Sequence, residues 1–159
     1  MREYGRCGRP PGSGIILLMG TLLAIDGLIN IVRRVYEAIP EHDSPEKAEA
    51  ALRNSYASFR RLLDTHAPTH AVAAFDFGGP TWRNLLYPAY RGKRAHMPHD
   101  LHEQLPDFRE KVQHLQLATI SVPGAEAVDV IGTVVMRWLA EGRGDAIVSS
   151  TDKHLLPLL

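Results

Sequence analysis

Residues 71–80 read AVAAFDFGGP. The run from Ala71 to Phe75 is apolar and ends in Asp76, and FGGP (77–80) is a turn. Such a run, bounded by turn residues, reads as a strand buried on both faces, as in a parallel sheet. The pattern recurs at TLLAID (21–26), which ends in Asp26. ATISV (118–122) and DAIVSSTD (145–152) are two further strand candidates, the last ending near Asp152. Between the strands lie helical patterns. LINIVRRVYEAI (28–39) has mixed apolar and basic faces. Residues 46–65 form a long amphipathic stretch, with Ser44 as N-cap and Pro45 at the first helical position. HDLHEQLPDFREKVQHL (99–115) is a helix pattern interrupted by Pro106, and EAVDVIGTVVMRWLAEG (126–142) is stopped by Gly142 and Gly144. Alternating strands and helices predict an α/β fold, a mainly parallel central sheet with helices on both faces.

The chain of 159 residues is the size of one domain, and 45% apolar residues suffice for a core. Formal net charge is zero, so no global field draws the chain to nucleic acid or membrane, and any such contact must use a local patch. The single cysteine, Cys7, excludes an internal disulfide and no Cys/His spacing suggests a zinc site, in keeping with a cytoplasmic location. Residues 1–14 are rich in Gly, Arg and Pro, and residues 1–18 are expected to be a disordered extension ahead of one domain over 19–159. IILLMGTLLA (15–24) follows basic residues, as a secretory leader would. It runs straight into Asp26 without a convincing cleavage site and is better read as strand. No run reaches the roughly 20 apolar residues of a membrane-spanning helix, so no membrane partner is expected.

Asp26, Asp76 and Asp152 stand at the carboxyl ends of predicted strands, and Glu126 and Asp129 open the helix after the third. In a parallel sheet these ends share one edge, where open α/β folds bind ligands. An aspartate after a strand is also an ordinary turn or N-cap residue, and Glu126 and Asp129 suit a helix N-terminus by its dipole alone. Recurrence around one edge favours the functional reading. Clustered carboxylates repel and need a hard divalent cation, Mg²⁺ or Mn²⁺, which can hold a phosphodiester and activate water.

TWRNLLYPAYRGKRAHMP (81–98) interleaves aromatic and basic residues: Trp82, Arg83, Tyr87, Tyr90, Arg91, Lys93 and Arg94. Cations bind phosphates, and aromatic faces stack on unpaired bases. Arg33 and Arg34 add candidate phosphate contacts, whereas Arg60 and Arg61 read as a solvated face. His96, His99 and His102 recur every third residue, but Pro98 interrupts them and argues against a metal face. Tyr36, Tyr56, Phe59 and Trp138 fall at helical spacing and are expected to be core or partly buried.

IDG (25–27), AVAAFD (71–76), TWRNLLYPAYRGKR (81–94), MP (97–98), GAEAVDVIG (124–132) and SSTDKHLLPLL (149–159) occur in that order. From about residue 21 onward the chain resembles the 5′-nuclease domain of bacterial DNA polymerase I and the stand-alone bacterial flap endonucleases. NIVRRVYEA (30–38) is most similar to the small stand-alone type. The resemblance implies a PIN-like 5′-nuclease fold, dependence on Mg²⁺ (or Mn²⁺), and 5′→3′ exonuclease or flap endonuclease action on DNA with 5′ ends or flaps. It implies metal-site roles for Asp26, Asp76, Glu126, Asp129 and Asp152, with Asp26, Asp76, Arg91 and Arg94 carrying catalysis. Arg33, Arg83, Tyr90, Arg91, Lys93 and Arg94 are the implied DNA contacts. Tyr90, Arg91 and Arg94 match a Tyr-Lys…Arg motif of the helical arch, with Arg91 in place of Lys.

Three departures stand out. The family's Glu-Ala-Asp-Asp has Val128 at its third position, and its Asp-Lys-Asp reads Asp152, Lys153, His154. The chain stops at Leu159, where the family continues into a helical region that grips duplex DNA, so the domain is expected to lack that region. These departures motivate an alternative: a catalytically weak or inactive DNA-binding remnant of the family.

Overall fold

Strands with apolar side chains on both faces are stable only where helices cover both sides. The computed structural model has this arrangement; it describes residues 19–90, 92 and 96–158. The expected disordered extension over 1–18, and Arg91, Lys93 and Arg94, lie outside the described residues. Strand β1 (Gly20–Asp26) is flanked by β2 (His70–Ala74) and β4 (Gly144–Ser149), and β3 (Ala118–Ile120) lies outside β2. The order is β3-β2-β1-β4 and every pairing is parallel. Asp26 pairs with Ala74 and Ile25 with Ser149, so the segments leaving β2 and β4 emerge beside the end of β1.

Side chains alternate across the sheet with the strand's period of two. Leu23, Ile25, Ala73 and Phe75 belong to a core shared with α2 (Pro45–His66) and α4 (His99–Gln113). Phe59 of α2 is fully buried there, its ring 6.3 Å from Phe75 and 6.1 Å from Phe108 between centroids. Leu22, Ala24, Val72 and Ala74 pack on the other side against α5 (Ala127–Ala140). Ser44 caps α2 by accepting the Lys47 N–H at 3.2 Å, with Pro45 at the first position, as expected. Tyr36, Phe59 and Trp138 are buried and Tyr56 partly so.

Several expectations need correction. The helix read over 28–39 is a π-helical stretch, Gly27–Arg33, running into the short α1 (Arg34–Ala38). Gly27 lies so close to the Phe75 ring that any Cβ would collide with it. Pro106 does not interrupt α4, because it sits on the exposed face, where solvent can replace the missing hydrogen bond. One reading holds without change: Pro88 breaks any long helix over 81–94, and the segment forms a five-residue helix, α3 (Trp82–Leu86), before Tyr87 turns extended. The strands end earlier than the apolar runs suggest. β2 stops at Ala74, leaving Asp76 on the following loop, and β4 stops at Ser149, where the Ser150 hydroxyl takes the Asp152 N–H and turns the chain.

Gly144, paired with Gly20, has φ +126°, and a Cβ there would run into the Gly20 carbonyl. Gly144→Ala is therefore expected to destabilise by about 3 kcal/mol or more. Gly132, inside α5 with open space at its Cβ position, should gain up to about 1 kcal/mol on change to Ala. Urea midpoints at constant m report both.

Candidate active site

Asp26 ends β1 and is 1% exposed. Its Oδ1 accepts the Ile29 N–H at 3.2 Å, capping the π-helical stretch, and its Oδ2 accepts the Ser150 hydroxyl at 3.1 Å. Burial pushes its pKa up; the bonds from Ser150 and Ile29 offset only part of that, and the charge of Asp76 adds to the rise. Asp76 is tied to the start of α5, its Oδ1 accepting the Ala127 N–H at 2.7 Å. On the β4 side, Asp152 Oδ1 accepts the His154 N–H at 2.9 Å and lies 2.7 Å from His154 Nδ1. The Ser150 hydroxyl thus sits between Asp26 and Asp152, accepting from the backbone of one and donating to the carboxylate of the other. Ser150 escaped the sequence reading; its only signal is a hydroxyl two residues before an aspartate, the spacing of a side-chain-closed turn.

The second acidic group opens α5. Asp129 accepts the Glu126 N–H at 3.0 Å. Arg83, from α3, forks onto Asp129, with one guanidinium nitrogen 2.6 Å from Oδ2 and the other 2.8 Å from Oδ1. The same guanidinium lies 3.5 Å from Glu126 Oε2, which accepts the Tyr90 hydroxyl at 3.3 Å. Trp82 Nε1 donates to Asp129 Oδ2 at 3.2 Å, and the guanidinium carbon lies 4.4 Å from the Trp82 ring centroid and 5.9 Å from that of Tyr90. Burial alone would raise the pKa of Asp129, but the bonds from Arg83, the Glu126 N–H and Trp82 outweigh it and hold the carboxyl below its ordinary value. The base of α3 is fixed by the Trp82 N–H on the Gly124 carbonyl at 2.9 Å and by Asn84, whose Nδ2 donates to the Tyr90 carbonyl at 3.2 Å. A cavity of about 250 Å³ opens between the two acidic groups, lined by Asp76, Gly78, Gly79, Thr81, Tyr90 and Glu126.

The fold therefore brings the five predicted carboxylates to one edge in two groups with different electrostatics. Asp26 and Asp76 have no cation against them among the described residues, and their hard oxygens fit a hard divalent ion. At the other end Arg83 already supplies a cation to Asp129 and Glu126. Among the described residues no three His, Cys, Asp or Glu side chains are gathered closely enough to hold an ion as they stand. Val128 is buried with Leu22, Ala24, Val72 and Leu155 and adds no charge to this edge. Of the predicted cations, Arg33 pairs along its own helix with Glu37 at 2.8 Å, and Arg83 turns inward onto the acids. No helix among the described residues is long and apolar enough to cross a membrane.

The family model described as 5′-3′ exonuclease, N-terminal resolvase-like domain, matches residues 21–159, and the chain belongs to this family. It is 38% identical over 135 residues to the flap endonuclease Xni of Shewanella sp. (strain ANA-3), a match covering 85% of this chain and 50% of the relative. To the flap endonuclease Xni of Psychromonas ingrahamii it is 33% identical over 144 residues, covering 89% of this chain and 54% of the relative. The chain thus spans about half the length of the curated relatives it matches. Among solved structures, T5 5′-exonuclease with bound divalent metal ions (zinc) aligns at TM-score 0.65 and 20% identity, over 87% of this chain and 52% of that one. A bacteriophage T5 flap endonuclease in a pseudo-enzyme–product complex with DNA and metal ions aligns at TM-score 0.56 and 19% identity, over 84% and 49%. The expected PIN-like α/β fold holds.

Asp129 has a lowered folded pKa, so its stabilisation is present above the unfolded value near 3.9 and is lost as pH falls through the folded value. Asp129→Asn should lower stability by about 1–3 kcal/mol at pH 7 in EDTA, with the difference from wild type fading below about pH 4 in urea titrations. Asp26 is the opposite case. Its raised folded pKa means that wild type gains stability as pH falls through that value, and carries a buried charge above it. Asp26→Asn is expected to melt above wild type at neutral pH in EDTA, the gap closing as pH is lowered.

Proposed function

We propose that this member of the 5′-3′ exonuclease family hydrolyses phosphodiester bonds in DNA carrying a 5′ end or 5′ flap, in a reaction that depends on Mg²⁺ or Mn²⁺. The observation that carries the reading is Asp26: a buried carboxylate at the carboxyl end of the central strand, raised in proton affinity by burial and by its neighbour Asp76. An enzyme gains from keeping such a pair only if a cation joins it. Support also comes from the relatives named flap endonucleases and from the T5 enzyme solved with DNA and metal ions.

In this reading Asp26, Asp76, Glu126, Asp129 and Asp152 would hold the divalent ion. The ion when bound supplies Lewis acidity and a water of lowered pKa. The residues of the chain do the rest. Arg91 and Arg94 steer the scissile phosphate, Arg33 and Lys93 take neighbouring phosphates, and Tyr90 offers a ring to an unpaired base. Arg83 adds positive charge beside the path of the strand. Residues 19–159 form the nuclease domain, and a cytoplasmic location belongs to the same reading.

A second reading, a DNA binder with weak or no turnover, is favoured by Val128, which lies in the apolar core where the family pattern has a carboxylate. One experiment separates the two. A labelled 5′-flap DNA is incubated with the chain in Mg²⁺, in Mn²⁺ and in EDTA, alongside Asp76→Ala. Metal-dependent product is expected, reduced by more than about 100-fold in the variant, beyond the loss typical of a residue one step removed from the metal. Retention of the flap DNA with no product in either metal would select the second reading.

A further inference from the structure

We propose that Arg83 is the resident cation of the Glu126–Asp129 end of the acidic edge, and that a divalent ion engages these two carboxylates only after the Arg83 fork has released them. The inference rests on the metal-dependent reading above and adds a positioning residue to it.

The lone pairs of Asp129 carry the argument. An ionised carboxylate offers about four acceptor positions. Asp129 Oδ1 is taken by one guanidinium nitrogen, and Oδ2 by the other, by Trp82 Nε1 and by the Glu126 N–H. Four donors from this chain engage the carboxylate, three of them crowding Oδ2 and one on Oδ1, and the Arg83 fork holds both oxygens. A metal ion approaching Asp129 would also meet a full positive charge directly on its ligand. Glu126 Oε2 is hemmed in the same way, by the Tyr90 hydroxyl and by Arg83.

Release of the fork is not a private event of one side chain. Arg83 belongs to α3, its guanidinium lies over Trp82, and Asn84 of the same helix holds the Tyr90 carbonyl. When Arg83 leaves Asp129, Trp82 loses the cation under its ring and its Nε1 partner comes under the ion's field. Metal occupancy and the setting of the 81–90 segment are therefore linked, and the linkage runs both ways. A ligand that binds only the released arrangement has its apparent affinity reduced by the fraction of molecules in that arrangement.

The sequence supplies the reporter, since the chain has two tryptophans and the other, Trp138, is buried on α5. Mn²⁺ binding is measured from the free-ion EPR signal for wild type and Arg83→Gln. Mg²⁺ is titrated into wild type and Trp82→Phe while tryptophan emission is followed. Arg83→Gln should bind Mn²⁺ about tenfold more tightly, the effect of removing a competitor that closes the site in nine molecules of ten. Wild-type emission should change with Mg²⁺, and Trp82→Phe should show no such change. If Mn²⁺ binds wild type while Trp82 emission stays constant, or if Arg83→Gln binds equally or more weakly, Arg83 merely organises Asp129 and the competition is overturned. If neither wild type nor Arg83→Gln binds Mn²⁺, the metal reading of the acidic edge fails as well.

Discussion

Carboxylates at the ends of adjacent parallel strands repel one another, and the fold answers that repulsion differently at each position. Register places Asp26 level with the end of β2 and beside the segment leaving β4, so Asp76 and Asp152 cannot be far from it. Asp26 takes a backbone N–H and a serine hydroxyl, Asp76 a backbone N–H at the mouth of a helix, and Asp152 the backbone and ring of His154. The donors to Asp26 and Asp76 among the described residues are backbone N–H groups and a hydroxyl, none of which carries a full charge. At Asp129 a guanidinium does the work instead. Among the described residues the edge is therefore polarised, with no cation against Asp26 and Asp76 and a guanidinium already on Asp129.

Within the basic–aromatic segment that polarity makes Arg83 a counter-ion. A run of arginines next to acids reads equally well as a phosphate clamp or as a set of counter-ions, because both uses need the same residue type. Arg83 is turned inward by geometry: α3 begins where its first N–H meets the Gly124 carbonyl, and this delivers position 83 to the first turn of α5. Val128 acts on the same balance. With its side chain in the core, the first turn of α5 presents two carboxylates for one guanidinium to bridge.

Much of this is legible in the amino-acid sequence. Apolar runs ending in Asp identified the strands and their shared edge, because burial on both faces leaves a mark that composition alone carries. Ser44 and Pro45 declared the start of α2 through cap chemistry that is local by nature. What stayed hidden depended on contacts distant in sequence or on a single atom. The close fit of Gly27 against the Phe75 ring, at the start of the π-helical stretch, is a contact distant in sequence. The continuity of α4 through Pro106 depends on which face of the helix meets water. Ser150 matters through one hydroxyl placed between two aspartates, and the inward turn of Arg83 is decided by a partner 46 positions away.

The Ser150–Asp26 bond spans 124 positions, from the first strand to the segment after the last. β1 can pair with β2 once some fifty residues more of the chain exist, but its other flank must wait for β4. Long-range parallel pairing of this kind is slow, because loop closure must precede any gain from contact. During synthesis at about 5–20 residues per second, the acidic edge would stay open on one side until β4 and Ser150 had emerged. The acidic edge is thus completed late, by a contact between two widely separated segments of the sheet.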